Sequence, residues 1–339
     1  MAKCSVCGRP AVYVNPVNGK AYCRVHFIEY FEKKVKKTIR KYEMLGEREH
    51  IIVAVSGGKD SMALLHFLRK LSRKIPGWRI TAVLVDEGIS GYREKTIRNL
   101  AKYAEENGVE YRVASFKEYI GATLDEIVEK GRSRGLPYLP CSYCGVFRRY
   151  VLNKAARELG GTVIATAHNM DDVVQTFIMN LASNSVDKIY RLTPVTGNGE
   201  GGFIRRVKPF YMVLEKESAL YALLNNLVEP EYVQCPYAHY NIRFTIRRMI
   251  NELEDKYPGV KYGLVNSLLS LTRDRQPSST RGYICEICGE PSSHRVCRAC
   301  LYRFETGLMS DVEAARVIKL LGEDPELRRL VHLGEKPSG

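Results

Sequence analysis

The chain has 339 residues, 45% of them hydrophobic, which excludes a disordered polymer and leaves room for one sizeable core with smaller appendages. Fifty-two Lys and Arg against 38 Asp and Glu give a net charge of +14, which suits a polyanionic partner such as nucleic acid or a membrane surface. No apolar run approaches the ~20 residues of a spanning helix, so a soluble, cytoplasmic protein without a membrane partner is expected.

In chain order, residues 1–27 form a short, turn-rich, Cys-bearing module, and 28–49 read as a charged connecting helix. From residue 50 to 215, apolar strands alternate with amphipathic helices. The strands fall at 51–56, 79–86, 111–116 and 162–167, with helices at about 60–71, at 94–107 and after Cys144. Such alternation predicts an α/β fold, a Rossmann-like parallel sheet covered by helices on both faces. After Pro209 the pattern turns helical, and 216–278 read as an extension with helices over 215–227 and 242–253. A Pro, Ser and Thr linker at 276–280 leads to a second Cys-bearing module at 279–305 and a helical tail at 306–339.

Ten cysteines in a cytosolic chain favour metal ligation over disulfides. Cys4 and Cys7 with Cys23 and His26 give four ligands, and Cys285, Cys288, Cys297 and Cys300 give four more. Both sets have closed, structural Zn²⁺ spacing, with Gly8 and Gly289 relieving the tight turn after each leading pair. Modules this small depend on their metal for folding. Two small zinc-finger modules therefore flank the sheet domain.

The middle set is different: Cys141 and Cys144 stand in PCSYCGVFRRY before a helix, and Cys235 stands alone in VQCPYAHY. Three thiolates leave a position open, either on a catalytic zinc or on one iron of a [4Fe-4S] cluster. A persulfide-bearing pair, Cys144 with Cys235, is the alternative.

Ser56-Gly57-Gly58-Lys59-Asp60-Ser61 follows a strand and precedes a helix, the setting in which backbone amides and a helix N-terminus hold phosphates. It is not a Walker A loop, so transfer of a γ-phosphate is not implied. The segment Ala167-His168-Asn169-Met170-Asp171-Asp172 closes another strand, at the sheet edge where α/β folds bind ligands. Asp171 reads as the cap of the following helix and His168 as structural. Arg148 and Arg149, Lys188 and Arg191, Arg205, Arg206 and Lys208, and the one-faced stripe Arg243, Arg247 and Arg248 read as RNA-facing cations, with Tyr237 and Tyr240 as stacking surfaces. The stripe is expected on an element apart from the phosphate loop.

SGGKDS resembles the PP-loop of the ATP pyrophosphatases. PCSYCGVFRR with the distant Cys235, the AHNMDD segment and the two zinc modules resemble the TtcA and TtuA group of tRNA thiolases; Ala167 stands where that group has glycine. The resemblance implies a PP-loop ATP pyrophosphatase fold and an ATP site built from Ala54, Val55, Ser56 to Ser61, Val85, Arg148, Ala167 and Asp172. In it Asp60 positions Mg²⁺ or phosphate, and Asp86 lies beside Val85 near the adenosine. It implies a [4Fe-4S] cluster on Cys141, Cys144 and Cys235, with Asp60, Arg148 and the three cysteines as the catalytic set. The implied activity is a tRNA-uridine 2-sulfurtransferase that splits ATP to AMP and pyrophosphate. Its implied target is the T-loop uridine at position 54, with sulfur from a ubiquitin-like carrier bearing a C-terminal thiocarboxylate. Thiolation of wobble uridine 34 is the close alternative, a non-catalytic zinc-ribbon RNA-binding protein the distant one. A homodimer is compatible with the group.

Overall fold

The structure, a computed structural model, describes residues 2–197, 202–227, 234–238, 242–273 and 282–332. Tyr240, the linker at 276–280 and the end of the tail lie outside the described residues.

The chain opens with a hairpin of β1 (Tyr13–Val14) and β2 (Ala21–Tyr22), then helix α1 (Arg24–Lys41). Next come β3 (Glu49–Ala54), α2 (Lys59–Ser72), β4 (Trp78–Asp86), α3 (Glu94–Asn107) and β5 (Glu110–Ser115). Helices α4 (Phe116–Ile120), α5 (Leu124–Ser133) and α6 (Pro140–Glu158) lead to β6 (Val163–Ala165), α7 (Met170–Ala182) and α8 (Val186–Ile189). The strands β7 (Val195–Thr196) and β8 (Arg205–Val207) precede α9 (Glu215–Leu224), α10 (Arg243–Lys256) and α11 (Val260–Thr272). A second hairpin, β9 (Tyr283–Ile284) and β10 (Pro291–Ser292), is followed by α12 (Arg298–Glu305), α13 (Asp311–Glu323) and α14 (Pro325–Arg328).

Six strands form one sheet in the order β5-β4-β3-β6-β8-β7, parallel except for β7 at its edge. The expected parallel sheet is therefore present. The short strands β7 and β8 were not anticipated, because VT and RRV carry no apolar run. Strand alternation divides the core: Ile51, Val53, Ile80, Ala82 and Leu84 face α1, α2, α3 and α9, whereas Ile52, Val83 and Val85 face α4 to α6 and the C-terminal module. A third cluster joins α7, α10 and α11. Helix α1 buries Phe27, Phe31, Val35 and Ile39, four apolar residues four apart, which seats the N-terminal module against the sheet domain.

The chain runs outward from β3 through β4 to β5, then returns across β3 to β6. The crevice beyond the carboxyl ends of β3 and β6 is thus the topological switch point of an open sheet, where ligands bind in this architecture. The phosphate-loop segment leaves β3 there, and Ala167 to Asp172 leave β6 there.

Candidate active site

The loop after β3 is shaped by its own hydroxyls. Ser61 Oγ donates to the Gly58 carbonyl at 2.9 Å and accepts from the Ser56 amide at 3.1 Å, while Ser56 Oγ lies 3.2 Å from Ser61 Oγ. Gly57 sits at φ +79°, and a Cβ there would meet Thr96 Cβ at 2.4 Å, so only glycine fits. Gly58 is the N-cap of α2 and offers no side chain to the first amides, which leaves them for an anion. Lys59 Nζ stands 3.0 Å from Asp60 Oδ2 and 2.9 Å from Glu215 Oε1. Ser218 Oγ donates to the other Asp60 oxygen, and Arg247 pairs with Glu215 at 2.8 Å.

The segment after β6 is held by Asn169, whose Oδ1 accepts from the Asp172 amide at 3.1 Å, while Asp172 Oδ2 accepts from the Asn169 amide at 3.2 Å. The cap of α7 is therefore Asn169 and not Asp171 as expected. Asp171 is buried instead, paired with Lys261 and accepting from the Glu215 amide at 2.8 Å, because α11 brings a lysine onto it. Burial pushes the Asp172 carboxyl up to about 6, with Arg243 at 3.7 Å pulling it down and Asp60 and Glu215 pushing it further up. Asp60, Asp172 and Glu215 thus form an acidic lip among Lys59, Arg243 and Arg247.

Two more residues of the crevice lay beyond sequence reasoning. Glu87, which directly follows β4, takes a two-point ion pair from Arg93, and Arg93 Nη1 donates to the Ser56 carbonyl at 2.6 Å. The signal was an acid closing an apolar strand, in VLVDEG, with an arginine six residues on, just ahead of α3.

Cys141 and Cys144 lie in the first turn of α6, not ahead of it, because Pro140 occupies the first helical position where a missing amide proton is harmless. Cys235 is brought beside them: the Cys141 thiol reaches the Tyr237 carbonyl at 3.9 Å, and Tyr237 donates to Asp125 at 2.7 Å. Tyr237 is thereby tied to α5. Burial pushes the Cys144 thiol up to about 12 against the pull of Arg148, with Glu87, Cys235 and Cys141 adding to the rise. Burial and then Cys235 raise Cys141 as well. A thiol so raised is a poor free nucleophile, and the Cys141 and Cys144 thiols gain from a bound cation that favours their thiolates.

The terminal sets meet the geometry of zinc. A zinc-thiolate bond of about 2.3 Å and a tetrahedral angle put ligating sulfurs about 3.8 Å apart. Cys7 and Cys23 sulfurs lie 3.7 Å apart, as do those of Cys288 and Cys297, and His26 Nδ1 lies 3.4 Å from both Cys4 and Cys23. All four ligand atoms of each set fall within 4.8 Å of one another. Among the described residues only these two sets gather that tightly. Cys141, Cys144 and Cys235 do not gather within that distance.

The basic residues divide. Arg205 pairs with Glu49 at 2.5 Å, Arg206 donates to Asn153 at 2.8 Å, and Lys208 donates to the Thr193 carbonyl at 2.5 Å. Burial holds both down, Lys208 to about 8 with the charge of Arg206 adding to it, and Arg206 to about 10 with that of Arg149. His168, among Lys208, Arg148, Arg243 and Arg206, is held down to about 3 by its enclosure first and their charges second, so it is neutral at pH 7. These groups form a positive well on the carboxyl side of β6. Arg243 and Arg247, expected on an RNA face apart from the nucleotide, line the phosphate loop, because α10 packs on α7 and reaches Asp172 and Glu215. No helix among the described residues is long and apolar enough to cross a membrane.

Residues 28–229 match a PP-loop domain family, and residues 3–28 match the N-terminal LIM domain of the 2-thiouridine synthetase TtuA. The chain is 36% identical to a tRNA-5-methyluridine(54) 2-sulfurtransferase of Pyrococcus horikoshii, covering 88% of this chain and 93% of the relative. It is 32% identical to the cytoplasmic tRNA 2-thiolation protein 1 of Anopheles gambiae, covering 97% of each. Among solved structures it resembles the U34-tRNA thiolase NcsA of Methanococcus maripaludis, which carries a [4Fe-4S] cluster. The TM-score is 0.78 at 34% identity, covering 89% of this chain and 96% of that one. The phosphate loop, the thiols beside it and relatives spanning nearly its full length lead to one assignment: the chain belongs to the PP-loop tRNA 2-sulfurtransferases.

Proposed function

We propose that the chain 2-thiolates the T-loop uridine or 5-methyluridine at tRNA position 54 in an ATP-dependent reaction. What carries the reading is a single crevice in which the SGGKDS loop and the thiols of Cys141, Cys144 and Cys235 are joined through Arg93, Glu87 and Arg148. The free amides at the start of α2, with Ser56, Ser61 and Lys59, bind the β and γ phosphates. Asp60 and Asp172 hold Mg²⁺, and Arg148 neutralises the α phosphate. Ala54, Val55, Val85 and Ala167 line the nucleotide.

The uridine O2 attacks the α phosphorus, pyrophosphate leaves, and sulfur attack at C2 then expels AMP. Positioning by the chain makes this exchange effectively intramolecular. A [4Fe-4S] cluster held by Cys141, Cys144 and Cys235 would supply one iron without a protein ligand, to which inorganic sulfur can bind. Sulfur arrives at the sulfide level, when water hydrolyses the C-terminal thiocarboxylate of a ubiquitin-like carrier to a carboxylate and releases hydrosulfide. The zinc at each end is structural, and tRNA phosphates meet the exposed Arg149 and Arg248. The likeness to the U34 thiolase structure favours wobble uridine 34 as the second reading.

Mass spectrometry of tRNA nucleosides from cells lacking the gene tests the proposal. Loss of 2-thio-5-methyluridine supports position 54. Loss of the 2-thiolated wobble nucleoside selects position 34, and an unchanged content of all 2-thiouridines overturns both.

A further inference from the structure

Glu87 is 1% exposed and still carries two cationic partners. Its Oε2 accepts from Arg93 Nε at 2.6 Å, and its Oε1 accepts from Arg93 Nη2 at 2.8 Å. The same Oε1 lies 3.3 Å from Nε of Arg148, one turn along α6 from Cys144. Arg93, 5% exposed, places its remaining terminal nitrogen on the Ser56 carbonyl at 2.6 Å. One buried carboxylate therefore stands between the first residue of the phosphate loop and the turn that carries the middle cysteines. A second arm runs through Tyr92, whose ring lies 4.5 Å from the Arg93 guanidinium and within electrostatic reach of Cys235.

A buried ion pair such as Glu87 with Arg93 adds little to stability over apolar residues of equal volume, so its geometry calls for another use. The planar Arg93 fork is rigid, and a two-point pair transmits both position and orientation. Phosphates drawing on the loop amides would displace Ser56, its carbonyl would carry Arg93, and the shared Oε1 would change its hold on Arg148.

We propose that Glu87 is a positioning residue that couples the nucleotide site to the Cys141, Cys144 and Cys235 site through Arg93 and Arg148. The inference rests on the reading of those cysteines as cluster ligands and adds to it a reciprocal dependence. Cluster loading alters nucleotide affinity, and nucleotide alters the cluster's surroundings by the same factor.

The test uses the full chain, with and without reconstituted iron, titrated with α,β-methylene-ATP. The wild type is expected to show an iron-dependent change in Kd of about fivefold or more, and a shift of the reduced-cluster EPR spectrum on adding the analogue. In E87Q, and in R148Q should E87Q fail to fold, the Kd ratio is expected to fall below about twofold and the EPR shift to vanish, with iron and zinc contents unchanged. A merely structural Glu87 would lower stability and leave the ratio intact, and that result overturns the inference alone. Equal affinity in iron-loaded and iron-free wild type also overturns it. A wild type that takes up no iron overturns the cluster reading with it.

Discussion

Glu215 Oε1 accepts a hydrogen bond from Lys59 Nζ at 2.9 Å, although 156 residues separate the two. Arg247 approaches the same oxygen at 2.8 Å, so α10 reaches the phosphate loop through one carboxylate. Arg248, one residue on, is exposed and has no ion pair among the described residues. The two arginines should therefore behave differently. Arg247→Gln is expected to weaken ATP binding several-fold, because Glu215 then competes harder for Lys59. Arg248→Gln should leave ATP binding alone and lower the slope of log tRNA affinity against log salt by roughly one. Calorimetry with α,β-methylene-ATP and tRNA anisotropy at several salt concentrations separate them; unchanged ATP affinity in the Arg247 variant refutes the link.

What was legible in advance was whatever is written locally. SGGKDS, the paired cysteines and the strand-helix alternation each occupy a few consecutive residues, and each reappears as a folded unit. Glu87, Glu215 and Lys261 could not be found that way. Each is a common charged residue whose meaning comes from a partner brought in from elsewhere: Arg148 61 positions after Glu87, Lys59 156 before Glu215 and Asp171 90 before Lys261. The same limit explains Asp171. Asn169, Asp171 and Asp172 can each cap a helix, and only the later packing of α11 decides that Asn169 does so while Asp171 is buried.

Gly57 and Gly58 make a contrasting pair. At Gly57 a Cβ would lie 2.4 Å from Thr96 Cβ and 3.3 Å from Thr96 Cα, atoms that cannot rotate away, and its φ of +79° is unfavourable for any L side chain by about 1–2 kcal/mol. At Gly58 φ is −80° and the nearest atom would be Ser56 Oγ at 3.5 Å. Gly57→Ala should lose ATP binding and about 2–3 kcal/mol of stability, a strain-and-clash cost within the usual range for single substitutions, while keeping both zinc ions. Gly58→Ala should keep its stability and weaken only the nucleotide. Thermal melts with an ATP-analogue titration check this, and a Gly57→Ala protein that binds ATP normally would contradict it.

Glu217 is wholly buried where the N-terminal module meets the main domain. It accepts from Tyr13 and Tyr30, each at 2.9 Å, from Lys34 at 2.6 Å and from the Leu214 amide at 2.9 Å. Removing one neutral donor should be mild: Tyr13→Phe is expected to lower stability by about 1 kcal/mol. Glu217→Ala strands the Lys34 ammonium and should lower it by about 3–5 kcal/mol. Because Ser218, the next residue, bonds Asp60, the alanine variant should also bind ATP more weakly while Tyr13→Phe does not. Chemical denaturation reads the first effect and calorimetry the second. Equal losses in the two variants would show that the network acts only as packing.

The last prediction concerns pH and Glu305, at the end of α12. Its Oε1 accepts from the Tyr138 hydroxyl at 2.9 Å and the His332 amide at 2.7 Å. Its Oε2 is buried without a partner among the described residues, and so is the hydroxyl of Tyr143, which feels the Glu305 charge. Burial raises the Glu305 carboxyl above its ordinary value, against the opposing pull of the His332 amide, Tyr138 and Arg298. The folded state thus binds this proton more tightly than the unfolded chain does. Its contribution to stability is full below the unfolded value of about 4.3 and is lost as pH rises through the folded one. At neutral pH the charged form therefore weighs against folding. In Glu305→Gln the amide oxygen can still accept from Tyr138 and His332, and no charge is buried with the second terminal atom. The variant should exceed wild type by about 1 kcal/mol at pH 7.5, with the gap narrowing steadily toward pH 5. Paired denaturation curves across that range decide it. A glutamine variant weaker than wild type by a constant amount at every pH would mean that Arg298 holds the carboxylate in its charged form, and that the orphaned oxygen has no energetic consequence.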